Sequence, residues 1–165
     1  MTTSDDLRTA FTDVMAAVPA AVSVVTAMDG DRPHGTTVSA FTSLSLSPPM
    51  ILVSLDQRSD LLALVRAGGR FGVNVLASAQ SALATTFARK GAAKFAEVTW
   101  HREDGLPRLH GVCGWLACTV SGLVDGGDHV IVLGTVVRAE TGGRAPLTYH
   151  ARGFGTHVAF DGASL

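Results

Sequence analysis

The chain lacks the features that mark several large classes of protein. Among its 165 residues no apolar run approaches the roughly 20 residues that a membrane-spanning helix needs. Residues 1–6 are acidic and polar, whereas a secretory signal would begin with basic residues. We therefore expect a cytoplasmic protein with no membrane partner.

Cysteine is scarce, and no metal-binding pattern occurs. The two cysteines, Cys113 and Cys118, are five positions apart, so on a single strand they would face opposite sides and could not form a disulfide. The six histidines form no His-x-x-x-His pair, and no Cys-x-x-Cys pair is present. Neither cysteine has an acid-base partner nearby in the sequence. We expect no disulfide, no metal site and no thiol catalysis.

An excess of charge of either sign is also missing. The 13 basic and 14 acidic residues give a net charge of −1 and a pI near 6.6, and the basic residues form no run. This balance argues against a nucleic-acid partner. Neither Gly-x-Gly-x-x-Gly nor the P-loop pattern occurs, so any bound phosphate must be held by hydroxyls, backbone amides and scattered cations.

Apolar residues, in contrast, are abundant. They make up 47% of the chain, against 16% charged residues, and the length suits a single domain over residues 1–165. This is more apolar surface than a small soluble monomer needs. We expect the excess to lie in a subunit interface, and hence a homodimer.

The order of the elements predicts a mainly β protein. Apolar positions 7, 11, 14, 15 and 18 predict a first helix, with Ser4 and Asp5 as candidate caps and Pro19 at its end. Two more helices are predicted over 59–68 and 78–89. Strands are predicted over 21–28, 35–41, 50–55, 71–76, 112–124 and 129–140. Because most strands are neighbours in hairpins, a closed or nearly closed antiparallel barrel with a few peripheral helices fits better than a doubly wound sheet.

Two segments carry the candidate chemistry. Residues 36–45 are rich in hydroxyls and small side chains and run into the apolar segment 48–55. About ninety residues later, the Asp-Gly-Gly-Asp-His turn at 125–129 leads directly into the last long strand. The glycines allow the positive φ of a hairpin turn, so Asp128 and His129 are presented together where the strand begins.

These two segments, in this order, resemble the flavin reductase family that has an FMN-binding split barrel. Further blocks follow the same order: residues 71–76 (Phe-Gly-Val-Asn-Val-Leu), Gln80, 87–88, 94–95, Trp100, 105–107 and 146–152. The resemblance covers roughly residues 8 to 158. It implies an antiparallel split barrel of Greek-key type.

The resemblance also implies an activity. Members of this family transfer hydride from NADH or NADPH to FMN or FAD, and many supply the reduced flavin to a separate monooxygenase. By resemblance, His129 lies on the nicotinamide side of the flavin and orients or polarises the carboxamide. We expect Asp128 to fix the turn and the tautomer of the imidazole. These two are the candidate catalytic residues.

The pyrimidine edge of an isoalloxazine ring carries carbonyl oxygens and ring nitrogens, which small side chains and strand-end amides can reach. Candidates for this contact are Thr37, Val38, Ser39, Ala40 and Ser54, with Asn74 as both donor and acceptor. The alternative is that these hydroxyls merely cap turns. The resemblance adds Gln80, Phe87 and Ala88 as contacts, Arg89 and Lys94 near the phosphate, and Tyr149 and Arg152 closing over the dinucleotide.

Each of these additions has a plainer alternative. Arg89 and Lys94 follow a helix end, where cations also face the negative end of the helix dipole. Tyr149 could be a half-buried strand aromatic and Arg152 a solvated cation. At the level of the whole protein, the alternatives are a flavin-binding carrier or sensor without turnover, and a flavin-dependent oxidase. The sequence does not choose between FMN, FAD and riboflavin, or between NADH and NADPH.

Overall fold

Antiparallel strands form most of the chain. A computed structural model describes residues 3–91 and 93–160. The helices are α1 (Ser4–Ala16), α2 (Asp60–Gly68) and α3 (Ser81–Ala88), with short 3-10 turns at Ser78–Gln80 and Ala93–Phe95. The strands are β1 (Ala20–Ala21), β2 (Ser23–Asp29), β3 (Arg32–Val38), β4 (Phe41–Leu46), β5 (Pro49–Asp56), β6 (Arg70–Val75), β7 (Trp100–Glu103), β8 (Leu106–Leu109), β9 (Gly114–Gly126), β10 (His129–Thr141), β11 (Thr148–His150) and β12 (Gly153–Gly155).

Seven of these strands form one antiparallel sheet in the order β3-β2-β6-β9-β10-β5-β4. Two small sheets, β1-β11-β12 and β7-β8, flank it. The prediction of a mainly β, antiparallel fold with a few peripheral helices is confirmed. Within residues 3–91 and 93–160, no helix is both long and apolar enough to cross a bilayer.

The large sheet separates two hydrophobic cores. On one face, Leu61, Leu62 and Val65 of α2 pack among side chains of β2, β5, β6 and β10. On the other face, Phe87 of α3 and Trp115 of β9 pack with the β8 side chains and the chain around Leu147. The helices therefore cover opposite faces, and the N-terminus of α2 and the C-terminus of α3 both reach the edge where β3 lies.

Local sequence explains why α2 begins and ends where it does. The Ser59 hydroxyl accepts a hydrogen bond from the Leu62 amide, and Gly69 ends the helix in the left-handed conformation at φ +65°. The helix predicted over 59–68 is confirmed, with Ser59 as its N-cap and Asp60 as its first residue. Helix α1 is also present as predicted, although its N-cap is Thr3 in a capping box with Asp6, one residue before the predicted caps.

The apolar face of α1 is uncovered. Leu7, Phe11 and Val14 are 66%, 61% and 65% exposed, and no residue of the helix is buried. Two contacts attach the helix to the turn between β11 and β12. The Ala151 amide donates to the Ala16 carbonyl, and Arg152 forms a 2.6 Å ion pair with Asp13. An amphipathic helix normally buries its apolar stripe, so an exposed stripe of this kind is typical of an interaction surface.

Several strands depart from the sequence prediction, among them the short strands β1, β11 and β12, which were not predicted. The strand expected at 35–41 begins three residues earlier and ends at Val38, and the hydroxyl-rich residues after it form β4, which was not predicted. The β7-β8 hairpin was also missed. Its first strand, Trp100–Glu103, is mostly polar, and among the described residues it pairs only with its neighbour in sequence. Cys113 lies just before β9 and Cys118 within it, both as free thiols.

Candidate functional site

Two adjoining cavities lie where β3 and β5 end and β10 begins. The hydroxyl cavity has a volume of about 270 Å³ and is lined by Thr36, Thr37, Val38, Ser39, Ala40, Ser54, Leu55, Asp56, Ser59 and His129. The cation cavity, of about 400 Å³, is lined by His34, Thr36, Asp56, Arg58, Ser59, Asp60, Ala88, Arg89, Lys90, Gly91 and Lys94. The two cavities share Thr36, Asp56 and Ser59. Together they form one continuous trough with a hydroxyl-rich end and a cationic end.

Strand pairing assembles the hydroxyl cavity from three distant segments. Strands β5 and β10 are antiparallel, with Asp56 opposite His129 and Ser54 opposite Ile131, so the end of β5 lies beside the start of β10. The Ser54 amide donates to the Ala40 carbonyl at 2.9 Å, which fastens the loop after β3 to β5. The predicted contacts Val38, Ser39, Ala40 and Ser54 are therefore brought together with His129.

Thr37 also lines this cavity, but its hydroxyl proton is used within the protein. Its Oγ1 donates to the Ala84 carbonyl of α3 at 2.6 Å. The hydroxyl oxygen can still accept a hydrogen bond from a ligand. The hydroxyl thus also clips α3 onto β3.

His129 is held by its neighbour in the turn. Its Nδ1 lies 2.7 Å from Oδ1 of Asp128, and this hydrogen bond is the main reason that the pKa of Asp128 is lowered. A carboxylate accepts, so Nδ1 carries the proton and Nε2 is left for a ligand. The turn is tied to β5 through Gln57, whose amide donates to the Asp128 carbonyl and whose side chain donates to the Gly127 carbonyl. The imidazole is 43% exposed, and the turn that carries it is held in place by these hydrogen bonds.

A fixed negative charge stands on the wall that the cavities share. Asp56 accepts hydrogen bonds from the side chain and the amide of Arg58, which lower the pKa of Asp56 to about 2. The carboxyl is therefore ionised throughout the neutral range. Because Arg58 is paired with it, the positive charge available to an anionic ligand comes mainly from elsewhere.

Arg89 and Lys90 supply that charge. They follow the last residue of α3, and among residues 3–91 and 93–160 no carboxylate lies within salt-bridge distance of either. Lys94 is used differently. Its Nζ donates to the carbonyls of Gly35 (3.1 Å) and Phe87 (3.0 Å), and burial lowers its pKa. Lys94 thus joins β3 to the end of α3 and keeps one N–H for a ligand.

The structure places Asn74 away from both cavities. This residue is fully buried: its side-chain amide donates to the carbonyls of Val24 and Pro107, and its Oδ1 accepts from the Leu109 amide at 2.8 Å. These hydrogen bonds join β6 to β2 and β8, and Asn74 lines neither cavity. Its contact with a flavin stays a prediction.

Gln80 and Phe87 also line neither cavity. Gln80 accepts from the Ala77 amide and donates to the His110 carbonyl, so it caps a turn and bridges to the β7-β8 hairpin. The Phe87 ring is buried and packs edge-on against Phe95 at 4.8 Å between centroids. Only its carbonyl reaches the site region, where it accepts from Lys94.

Tyr149 and Arg152 lie outside both cavities. Tyr149 pairs with Ala20 in the small sheet and packs on Phe154 at 5.3 Å between ring centroids, and Arg152 is in the adjoining turn, paired with Asp13. Their contact with the dinucleotide stays a prediction. Ala88, in contrast, lines the cation cavity as expected, beside Arg89.

Eight residues that line the cation cavity were not predicted as site residues from the sequence: His34, Thr36, Asp56, Arg58, Ser59, Asp60, Lys90 and Gly91. One signal could have found some of them. Ser59 was predicted only as a helix cap, yet a capped N-terminus that follows a strand is also a site where anions are bound. No sequence signal distinguishes His34 from the other histidines.

The sequence of the chain matches the model of the flavin reductase-like domain over residues 15–157. The chain belongs to the flavin reductase-like family. The resemblance inferred from the ordered blocks is confirmed.

Two curated relatives and one solved structure illustrate the similarity. The reductase component of 4-nitrophenol 4-monooxygenase/4-nitrocatechol 2-monooxygenase from Rhodococcus opacus is 39% identical over 153 residues, covering 93% of this chain and 83% of the relative. The actinorhodin polyketide dimerase of Streptomyces coelicolor is 41% identical, covering 92% and 87%. The NADH:FAD oxidoreductase SgcE6 of Streptomyces globisporus, solved with NAD and FAD fragments, has a TM-score of 0.89 at 31% identity and covers 99% of both chains. Some relatives are longer, and the chain spans about half the length of one of them.

Proposed function

We propose that this protein transfers hydride from NADH or NADPH to FMN or FAD. The observation that carries the proposal is the trough itself, because its hydroxyl-rich end suits the polar edge of a flavin ring and its cationic end suits a phosphate. The protein is an NAD(P)H-dependent flavin reductase of the flavin reductase-like family. When bound, the flavin supplies the hydride acceptor, and the protein positions the two rings.

The hydroxyl cavity fits the flavin ring. Ser39 and Ala40 form an exposed loop between β3 and β4. Their carbonyls accept from the Phe41 and Ser54 amides, which leaves their own amides to donate to a ligand, and Ser54 lines the same cavity. Small side chains let the ring approach the backbone closely. Hydrogen bonds from this loop would stabilise negative charge at the pyrimidine edge of the ring.

The cation cavity fits the phosphate end of the flavin. Arg89 and Lys90 provide unpaired positive charge, Ser59 and the N-terminus of α2 provide hydroxyl and amide donors, and Lys94 adds one N–H. Anions are favoured at a helix N-terminus and near arginine. Asp56 and Asp60 lie on the same wall, so they would repel an anion that sat too far from the cations.

His129 would act on the nicotinamide. Its free Nε2 is at the hydroxyl cavity, where a ring stacked on the flavin would present its carboxamide. Asp128 keeps Nδ1 protonated and the imidazole oriented. The pair therefore positions the donor ring, and no strong acid is required for hydride transfer.

The decisive experiment measures NADH and NADPH oxidation by the purified protein with FMN, FAD or riboflavin, followed at the nicotinamide absorbance. Turnover that depends on added flavin supports the proposal. Flavin binding without turnover would instead support a carrier or sensor. The name of the 41%-identical Streptomyces coelicolor relative raises a second enzymatic candidate, coupling of an aromatic polyketide, which would show product formation without dependence on added NAD(P)H.

The assembly that we propose is a cytoplasmic homodimer that passes reduced flavin to a separate monooxygenase. The uncovered apolar stripe of α1, with Tyr149 and Phe154 of the adjoining small sheet, supports an interface between subunits. A two-fold interface buries one such patch against its copy. The reductase component from Rhodococcus opacus supports the partnership with a monooxygenase.

A further inference from the structure

His34 occupies a distinct position in the cation cavity. It lies on β3 two residues before Thr36, so the two side chains point to the same face of the strand, and both line the cavity. The next residue, Gly35, accepts the hydrogen bond from Lys94. The imidazole is therefore built into the rigid strand that carries the cavity, beside the lysine that joins β3 to α3.

One edge of the imidazole is sealed and the other is open. Nδ1 of His34 is buried and, among the residues that the structure describes, has no hydrogen-bond partner. Since the side chain nevertheless lines the cavity, the edge that carries Nε2 faces it. A neutral ring without an acceptor at Nδ1 holds its proton best at Nε2, where a ligand can accept it.

Burial, more than the surrounding charges, disfavours the protonated form of the ring. Burial is the main cause that lowers the pKa of His34, the charge of Lys94 is the second, and Asp60 and Asp29 oppose both. The other charged groups of the cavity wall are Asp56, Arg58, Arg89 and Lys90. An anion placed in the cavity would offset the cations and favour the protonated ring, which has a second proton to share.

We propose that His34 recognises the phosphate of the flavin and takes up a proton as the phosphate binds, so that the cavity selects phosphorylated flavins over riboflavin. The inference rests on the proposed function. The neutral imidazole donates one hydrogen bond from Nε2, and the imidazolium formed on binding adds a charge to that bond.

The sign of the pH effect follows from the lowered pKa. Burial and Lys94 disfavour the protonated ring in the free protein, and a bound phosphate would favour it, so binding should be accompanied by proton uptake. Affinity for FMN should therefore increase as the pH falls from about 8 to about 6.5. The phosphate takes up its own second proton with a pKa of about 6, and this opposes the trend as the pH falls further.

The test compares wild type with His34→Gln, which keeps an N–H donor near Nε2 but cannot titrate, and with His34→Ala. His157→Gln is the matched control, because His157 is exposed and lines neither cavity. Dissociation constants for FMN and riboflavin are measured at pH 6.5 and 8.0 by quenching of flavin fluorescence. Calorimetry in two buffers of different ionisation enthalpy gives the protons taken up.

We expect wild type and His157→Gln to bind FMN about tenfold more tightly than His34→Ala at pH 6.5. Riboflavin affinity should be equal in all variants. His34→Gln should retain an intermediate FMN affinity and lose the proton uptake. Equal losses for FMN and riboflavin, or proton uptake that persists in His34→Gln, would overturn the assignment.

Two outcomes separate this inference from the proposed function. Wild type that binds no flavin refutes both, whereas wild type that binds FMN and riboflavin equally well, with turnover, refutes the role of His34 alone. If the His34 variants do not fold, the wild-type calorimetry still decides, since binding of FMN without proton uptake contradicts the proposal.

Discussion

His129 is the residue whose contribution can be separated most cleanly from flavin binding. Its ring is fixed at Nδ1 by Asp128 and open at Nε2. We expect His129→Ala to lower kcat/KM for the nicotinamide by about tenfold to a hundredfold, or roughly 1.4 to 3 kcal/mol. The flavin dissociation constant should change little, because the imidazole is expected to contact the second ring.

Steady-state kinetics with saturating flavin measures this effect, and flavin titration is the parallel measurement. Asp128→Asn is the matched variant, since it keeps a side chain of the same size beside Nδ1 but removes the carboxylate. A value of kcat/KM that is unchanged in His129→Ala would reduce the histidine to a turn residue.

Asn74 and Ser54 provide a second contrast at the residue scale. Asn74→Ala should lower the free energy of unfolding by about 2 to 4 kcal/mol, because the Leu109 amide is left buried without its acceptor. Ser54→Ala should leave stability nearly unchanged and weaken flavin binding. Thermal denaturation and flavin titration on both variants would show the opposite pattern if Asn74 were the ligand contact.

The same contrast shows how far the sequence identifies site residues. Ser39, Ala40 and His129 could be predicted, because strand ends and glycine turns expose whatever they carry. The role of Asn74 could not, since it depends on Leu109, 35 positions later in the chain. A polar residue in an apolar strand looks the same in sequence whether its partner is a ligand or a distant backbone amide.

At the scale of the element, Gly134 lets β10 pack closely against the core. A Cβ added at Gly134 would lie 2.5 Å from Cζ of Phe71, a core ring that is fully buried. Gly134→Ala should therefore lower the free energy of unfolding by about 1 to 3 kcal/mol through overpacking. Chemical denaturation measures it.

Gly68→Ala is the control for this substitution. Gly68 is the last residue of α2, and an added Cβ there has no heavy atom within 4 Å among the described residues. Alanine should be neutral or slightly stabilising in that position, by about 0.5 to 1 kcal/mol. Equal free energies of unfolding for the two variants would contradict this prediction, because the sheet would then accommodate the added methyl group beside Phe71 without loss of stability.

Elements with a strong period were predictable, and elements with a mixed pattern were not. Helix α1 could be located from its apolar positions even though none of them is buried, because periodicity records a surface to be covered and not the partner that covers it. Strand β4 was hidden by hydroxyls that are equally typical of turns. The β7-β8 hairpin was hidden because its first strand faces solvent and shows no apolar alternation.

At the scale of the whole molecule, the exposed stripe of α1 predicts the assembly. We expect Phe11→Glu to convert a dimer into a monomer near 17.1 kDa, because a charge in an apolar interface must be desolvated. Thr9→Glu adds the same charge on the opposite side of the helix and should remain dimeric. Sedimentation equilibrium measures both, and a wild-type monomer with full activity would contradict the proposal.

Because the hydroxyl and cation cavities share a wall and are rimmed by exposed residues such as Ser39, Ala40 and Arg89, a flavin would lie along the protein surface in an open trough. Departure from such a trough needs no lid to open, so the lifetime of the complex is set by the contacts alone. Oxidised flavin could then arrive and reduced flavin leave within each catalytic cycle. The shape of the trough thus favours a flavin that is a diffusible substrate, exchanged with solution at every turnover, over one that is a tightly bound prosthetic group.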